Sequence, residues 1–307
     1  MKKIVFLSLA FAGLAGTASA QLKAHLDIGF ASKNDQFDKD GEREDFEDFG
    51  GTDEFLVPIV LGATYDVFHG LYLGADLSLL NRSVIDIDRE KTSSFGVREL
   101  DLVAGYSGGL GMVDLDVQLG FKVDIGKLPD TPKGSADDAD LVGNTGRTTS
   151  DNQHAVHLGL QALFKPLYGL SIGPRVAAVF HLAREVDPDD KLKAANSIQS
   201  GILVDAGLVV AGRINLGQIA LLVGFDIGYL HQGETTVEDD NGKLTETPES
   251  DFYLLSLAPY FGVNFQQHTL KVSLSLPEED AITGIPLIGK NVKITTVPAT
   301  ITYQFSM

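Results

Sequence analysis

The stretch "VDLDVQLGFKVDI", residues 113–125, alternates without interruption: Val113, Leu115, Val117, Leu119, Phe121, Val123 and Ile125 on one parity, Asp114, Asp116, Gln118, Gly120, Lys122 and Asp124 on the other. Successive side chains of a strand point to opposite faces, so this pattern predicts a β-strand with one apolar and one wet face. A soluble sandwich and a membrane barrel both contain such strands. What separates them is where the apolar face is hidden and what makes up the wet one.

Outside that stretch, the chain opens on "MKKIVFLSLAFAGLAGTASA", residues 1–20, with Lys2 and Lys3, an apolar run and the small triplet Ala18, Ser19, Ala20. That is the pattern of a secretory signal peptide, and its apolar run is shorter than the roughly 20 residues of a spanning helix. Cleavage is expected near Ala20, leaving residues 21–307 as one transmembrane domain. The chain has no cysteine, which removes both a disulfide framework and a lipid anchor. Its net charge of −18, with no basic stripe, speaks against nucleic acid as a partner. No apolar run of 18 residues follows the leader, so a membrane protein made from this chain must cross with strands.

The alternation recurs. Strand-like runs fall at about 21–31, 54–67, 71–81, 97–107, 112–125, 154–165, 170–182, 201–212, 218–230, 252–265, 269–277 and 293–305, twelve in all. Short connections ("FHG", "SGGLG", "KPLYG", "RINLGQ", "QQH") strictly alternate with long polar ones that start near residues 32, 82, 126, 183, 231 and 278. Short turns at one end and long loops at the other are the signature of an outer-membrane barrel.

Composition of the two faces points the same way. The apolar parity holds Leu22, Ala24, Leu26, Ile28 and Phe30, then Leu71, Leu73, Ala75, Leu77 and Leu79, then Ile219, Leu221, Val223, Phe225, Ile227 and Tyr229, with no charge among them. The polar parity is poor in Lys and Glu and rich in Gly and Asp, for example Asp27 with Gly29, Gly74 with Asp76, and Gly224 with Asp226. A sandwich surface would carry abundant Lys, Glu and Thr; small residues instead suit the concave interior of a modest barrel. Aromatics near strand ends, at Phe30, Tyr65, Tyr106, Phe164, Tyr253, Phe265, Tyr303 and Phe305, sit where interfacial girdles would lie.

On these features the chain, over residues 21–307, resembles the Gram-negative outer-membrane β-barrel class. The final strand, "TTVPATITYQFSM", also resembles the terminal strands of that class, with Phe305 followed by Ser306 and Met307. The resemblance implies an all-β fold: a single antiparallel transmembrane barrel of about twelve strands, with short periplasmic turns and long extracellular loops. It also implies residence in the cell outer membrane, contact with outer-membrane lipids and lipopolysaccharide, and delivery by periplasmic chaperones and the barrel assembly machinery. Four prolines, Pro58, Pro174, Pro259 and Pro298, fall within the strands, where bulges could absorb them and shift the parity.

Inward parity gathers the candidate lumen-lining residues Asp27, Asp76, Glu99, Asp101, Asp114, Asp116, Lys122, Asp124, His157, Arg175, His181, Asp205 and Asp226, together with Lys23, Asp66, Arg213 and Lys271. Acids outnumber bases, so a conducting lumen would favour cations. Measured from the "SGG" turn, Glu99 lies across from Lys122 and predicts an ion pair. A tight turn at Asn215 and Leu216 would set Asp205 opposite Asp226, where two carboxylates share a proton or hold a cation. In the first long loop, "QFDKDGEREDFE", residues 36–47, places Asp38, Asp40, Gly41 and Glu47 at four positions of a calcium loop, with Gln36 in place of the leading Asp. The bland reading is an acidic, solvated loop, which with the stretch near residue 240 could hold divalent cations loosely.

For catalysis, a lipase of this class needs a His with a Ser two residues on, but His157 is followed by Gly159, and nothing of the kind follows His181. The nearest pair for a rim protease is Asp205 with His181. No cofactor or metal site is expected, and the protein is expected not to be an enzyme. The expectation is a porin-like passive channel with an acidic lumen. A plugged barrel serving as a surface or structural protein is the alternative, and an outer-membrane lipid-modifying enzyme or protease comes third.

Overall fold

The computed structural model describes residues 21–32, 34–45, 53–85, 91–125, 154–185, 197–238, 244–246, 251–275, 285–295 and 299–306. The leader, Glu47 and Pro298 lie outside the described residues.

Twelve strands form the wall: β1 (Leu22–Ser32), β2 (Asp53–Phe68), β3 (Leu71–Ile85), β4 (Lys91–Leu110), β5 (Val113–Asp124), β6 (Ala155–Leu167), β7 (Leu170–His181), β8 (Leu203–Leu216), β9 (Ile219–Gln232), β10 (Phe252–Phe265), β11 (His268–Ser273) and β12 (Ala299–Ser306). Each pairs antiparallel with its neighbour in sequence, and β1 closes the ring against β12, with Asp27 opposite Thr302. Closure gives each of the twelve strands a neighbour on both sides, the condition for crossing hydrocarbon with strands. Stepping through paired residues from Lys23 near the start of β1, by way of Thr64, Gly74, Val103, Gly120, His157, Val179, Leu203 and Gln232, arrives at Phe252, the first residue of β10. The row thus climbs from the short-turn end to the long-loop end, so the strands are tilted. Twelve strands about 4.8 Å apart and tilted by about 40° enclose a backbone cylinder with a radius of about 12 Å.

At the long-loop end further ladders extend the wall. Asn34–Phe37 pairs with Val292–Thr295 and with Arg43–Asp45, and Ile285–Lys290 runs along β10 above the point where β11 stops. A small sheet joins Arg184–Glu185, Ser197–Gln199, Thr236–Glu238 and Leu244–Glu246.

The turns are tighter than the sequence reading placed them. Ser107, Gly108 and Gly109 remain in β4, paired with Asp116, Leu115 and Asp114, and the reversal falls at Gly111 and Met112. Likewise the β8–β9 reversal is at Gly217 and Gln218 rather than Asn215 and Leu216, because Leu216 still pairs with Ile219. Glycine decides both: Gly111 has φ +67° and Gly217 φ +69°, the left-handed region that two-residue hairpins require.

Pro58, Pro174 and Pro259 do not shift the parity. Pro58 pairs with Leu80 of β3 in unbroken register while the β1–β2 ladder skips from Ile59 to Leu56, and Pro174 pairs with Leu208 while the β6–β7 ladder skips from Arg175 to Ile172. Each missing N–H therefore faces a gap in one ladder. Pro259 sits where β10 passes from pairing with β11 to pairing with Ile285–Lys290. The bulges lie at Asp66/Phe68, at Ser78/Leu79, at Phe164/Leu167, which encloses Pro166, and at Leu255/Ser256, opposite Pro286.

Apolar parity is the exposed one. Leu73, Leu102, Leu119, Leu158, Val176, Leu208, Val223, Phe261, Leu270 and Ile301 are all well exposed on the outer face, and they come from ten different strands. So large an apolar belt in contact with water would drive association, and hydrocarbon is its natural neighbour. Tyr229 and Tyr253 stack with centroids 6.1 Å apart, and His268 stacks on Tyr303 and donates or accepts a 2.8 Å hydrogen bond at its hydroxyl.

Candidate functional site: the inward face of the barrel

Alternation sends the other parity of every strand inward, and the side chains there do not stand as separate charges. His25 Nε2 lies 3.6 Å from Asp27 and 3.5 Å from Asp76. His157 Nε2 is 2.9 Å from Asp101 Oδ1. Lys122 Nζ is 3.6 Å from Glu99, although their strand partners are Asp101 and Asp124; the expected ion pair forms along the diagonal, because the hairpin is two residues longer than the "SGG" turn implied. Lys23 meets Asp66 at 3.3 Å, Lys165 binds Asp114, and the Tyr72 hydroxyl donates to Asp116 at 3.2 Å. The Asp124 backbone N–H donates to His154 Nδ1.

Asp205 and Asp226 are not directly opposite. Asp205 pairs with Leu230 and Asp226 with Val209, since the turn lies two residues beyond the expected one. Arg175 stands between them, its Nη1 on Asp205 and its Nε on Asp226. The guanidinium holds the two carboxylates together, in the place of a shared proton or a bound cation. His181 faces away from this group, with Nδ1 3.2 Å from the Gly201 carbonyl, and Asp205 pairs four residues back along β7, at Ala177. Asp205 and His181 therefore do not form a catalytic pair. In the first loop, the Asp38 carboxylate accepts from the backbone N–H groups of Asp40 at 2.9 Å and Glu42 at 2.8 Å, a turn that caps its own backbone.

Glycine makes this arrangement possible. A Cβ on Gly120 would stand 1.9 Å from His157 Nε2, and one on Gly62 would stand 2.1 Å from His25 Cε1 and 2.0 Å from Asp76 Oδ1. Gly105 is covered by the Tyr72 ring, Gly224 by Tyr260, and Gly207 by Arg175 and Asp226. In four of these cases, Gly120, Gly62, Gly105 and Gly224, the large side chain belongs to the residue paired with the glycine across the ladder: His157, His25, Tyr72 and Tyr260. The polar or aromatic group lies flat against the wall over its partner's bare backbone.

Exposure falls steadily from the short-turn end to the long-loop end. Lys165 and Asp114 are 48% and 44% exposed, Arg175 and Asp205 18% and 22%, and His157 and Asp101 only 8% and 7%. Towards the long-loop end apolar side chains join the polar ones of Glu99, Lys122 and His181 on the inward face. Leu203, Leu230 and the fully buried Leu254 pack together with Val179 and Phe252, and Ala31, Leu56 and Leu80 form a second cluster. Sequence reading missed these residues. Their signal was present, as apolar residues on the polar parity of the upper strand ends, beside Asp205, Gly228 and Ser256.

No protein-family model matches the chain, and no curated protein matches its sequence. Solved structures do match. An outer-membrane channel from Pseudomonas putida F1 superposes with a TM-score of 0.68 at 12% identity, covering 95% of this chain and 97% of the other. The β-domain of a Bordetella autotransporter superposes with a TM-score of 0.53 at 14% identity, covering 94% and 99%. The fold is that of a Gram-negative outer-membrane β-barrel. At these identities the likeness extends to architecture alone, so the chemistry of the inward face belongs to this chain.

Proposed function

We propose that this protein is a passive, porin-like channel of the Gram-negative outer membrane, with its short turns in the periplasm and its long loops outside. A wide polar vestibule opens to the periplasm and narrows to an apolar constriction near the extracellular end. The observation that carries the reading is the density of ionisable groups at membrane depth. Asp27, Asp76, Glu99, Asp101, Lys122, His157, Arg175, Asp205 and Asp226 come from eight strands of the wall. Charges at that depth are costly unless they pair or line water, and here they do both: they pair with one another and remain partly exposed towards the vestibule. The P. putida channel shares the architecture and supports the reading without fixing a solute.

Acids exceed bases on the inward face even after pairing, so the channel favours cations. Reconstitution in planar bilayers under a KCl gradient tests both parts. Discrete current steps with a reversal potential of cation-selective sign are expected, and a reversal potential at zero would remove the selectivity.

A plugged barrel is the second reading, favoured by one observation, the packing of Leu203, Leu230 and Leu254 across the inward face. Leu203→Ser with Leu230→Ser separates the two. A channel gated at this constriction gains conductance when the apolar side chains become polar, because water then wets the neck. A barrel plugged for structural ends loses stability and still passes no current.

A further inference from the structure

Four of the inward cations, Lys23, Lys122, Lys165 and Arg175, have carboxylates within ion-pair distance. Two others do not. Arg213 donates to the amide oxygens of Asn215 at 3.1 Å and Asn264 at 3.0 Å, and Lys271 has only the Tyr260 ring, 5.6 Å from its Nζ to the centroid. In a lumen with acid to spare, these are the cations among the described residues left without a counter-charge. They also lie on one hydrogen-bonded row. Paired residues run from Arg213 through Leu222, Gly262, Lys271 and Thr302 to Asp27. Arg213 stands at one end of this row and Asp27, which pairs with His25, at the other; Lys271 lies between them, one intervening strand from Asp27 and two from Arg213, and both cations have neutral partners.

Spacing suits a solute that carries both signs. Lys271 and Asp27 are separated by one strand, which sets their Cα atoms about 10 Å apart along the wall. A small zwitterion whose carboxylate and ammonium are about 4 Å apart, with a hydrogen bond of about 2.8 Å at each end, needs its two charged partners about 10 Å apart, a separation open to side chains rooted that far apart. Gly262, beside Lys271, has no side chain, and Thr302 stands between Lys271 and Asp27 on the same face of the wall.

We propose that this row is a binding site for small zwitterionic solutes of the amino-acid type, with the carboxylate towards Lys271 and Arg213 and the ammonium towards Asp27, over Thr302. The proposal rests on the reading of the lumen as a water-filled channel and names its solute class. A transverse arrangement of opposite charges aligns a dipolar solute and admits it over a neutral solute of equal size.

Ligand-observed NMR titration of the detergent-folded full-length protein tests binding directly. The probes are β-alanine, propionate, propylammonium and propionamide, which are of similar size and differ in charge. β-Alanine is expected to bind more tightly than the other three. Lys271→Gln should weaken β-alanine about tenfold, the order expected for losing one charge-assisted hydrogen bond, and should leave propylammonium unchanged. Asp27→Asn should do the converse, weakening β-alanine while sparing propionate. Lys23→Gln, at the neighbouring Lys23–Asp66 pair, should change neither. If propionamide binds as tightly as β-alanine, or both row variants leave β-alanine binding intact, the site is wrong. Liposome swelling keeps the two readings apart. Lys271-dependent binding without solute flux sinks the channel and keeps the site; flux that is equal for β-alanine and propionamide, with no titratable binding, sinks the site and keeps the channel.

Discussion

Gly173 and Gly109 are both glycines of the inward face, and they are not equivalent. A Cβ on Gly173 would stand 1.8 Å from the Ala162 carbonyl oxygen, whereas one on Gly109 meets only Asp114 Oδ1, at 3.5 Å. Backbone cannot step aside as a side chain can. Gly173→Ala is therefore expected to lower stability in lipid vesicles by about 1–3 kcal/mol, as overpacking does, and Gly109→Ala by less than about 0.5 kcal/mol; urea unfolding read by gel mobility measures both. Arg175 makes a sharper case. Removing it leaves Asp205 and Asp226 partly buried on one face with no cation between them, so Arg175→Met should cost about 3–5 kcal/mol. Adding Asp205→Asn and Asp226→Asn should restore most of that loss. If the single variant is as stable as the parent, the guanidinium is not what holds the two carboxylates.

The elements obey the same economy of backbone groups. Pro58 and Pro174 occupy positions where one ladder already skips, so restoring an N–H gains nothing there: Pro58→Ala and Pro174→Ala should change stability by less than about 1 kcal/mol. A proline placed at Leu222, whose ladders to β8 and β10 are continuous, should instead prevent folding into the heat-modifiable form. At the turns, Gln266 has φ +54° and His69 φ +44°, conformations that a side chain resists. Gln266→Gly should stabilise the β10–β11 hairpin by about 0.5–1 kcal/mol, read as a higher urea midpoint. A lower midpoint would mean that its side chain makes a contact worth more than the strain.

For the molecule as a whole, two gradients run together along the barrel axis. Exposure of the inward side chains falls from Lys165 and Asp114 to Leu254, so the proposed vestibule is a cup of paired charges beneath a neck where leucines stand among buried polar groups such as Ser256 and His181. Selectivity that arises from partly exposed charges is screened by salt. The proposed cation preference should therefore fade between 0.1 M and 1 M KCl, as the Debye length shrinks from about 10 Å to about 3 Å. Selectivity that stayed constant across that range would place the filter among the more buried groups, around Asp101 and His157.

The sequence by itself determined the strand count, the alternation of short and long connections, and which parity of each strand is apolar. These are local properties: a period of two and a turn residue are both visible within a dozen positions, and hydrocarbon outside the wall demands an uninterrupted apolar parity. The Glu99–Lys122 pair was legible for the same reason, since one hairpin carries both residues, although an error of two residues in the turn moved it onto the diagonal. Only the tertiary structure decided which groups meet across strands distant in sequence. Arg175 between Asp205 and Asp226, His157 beside Asp101, and the leucines of three strands packed together in the upper lumen all depend on ring closure and on the tilt of the wall. Register accumulates from one hairpin to the next, so a small slip at a single turn displaces every contact beyond it, and only the closed ring fixes the sum.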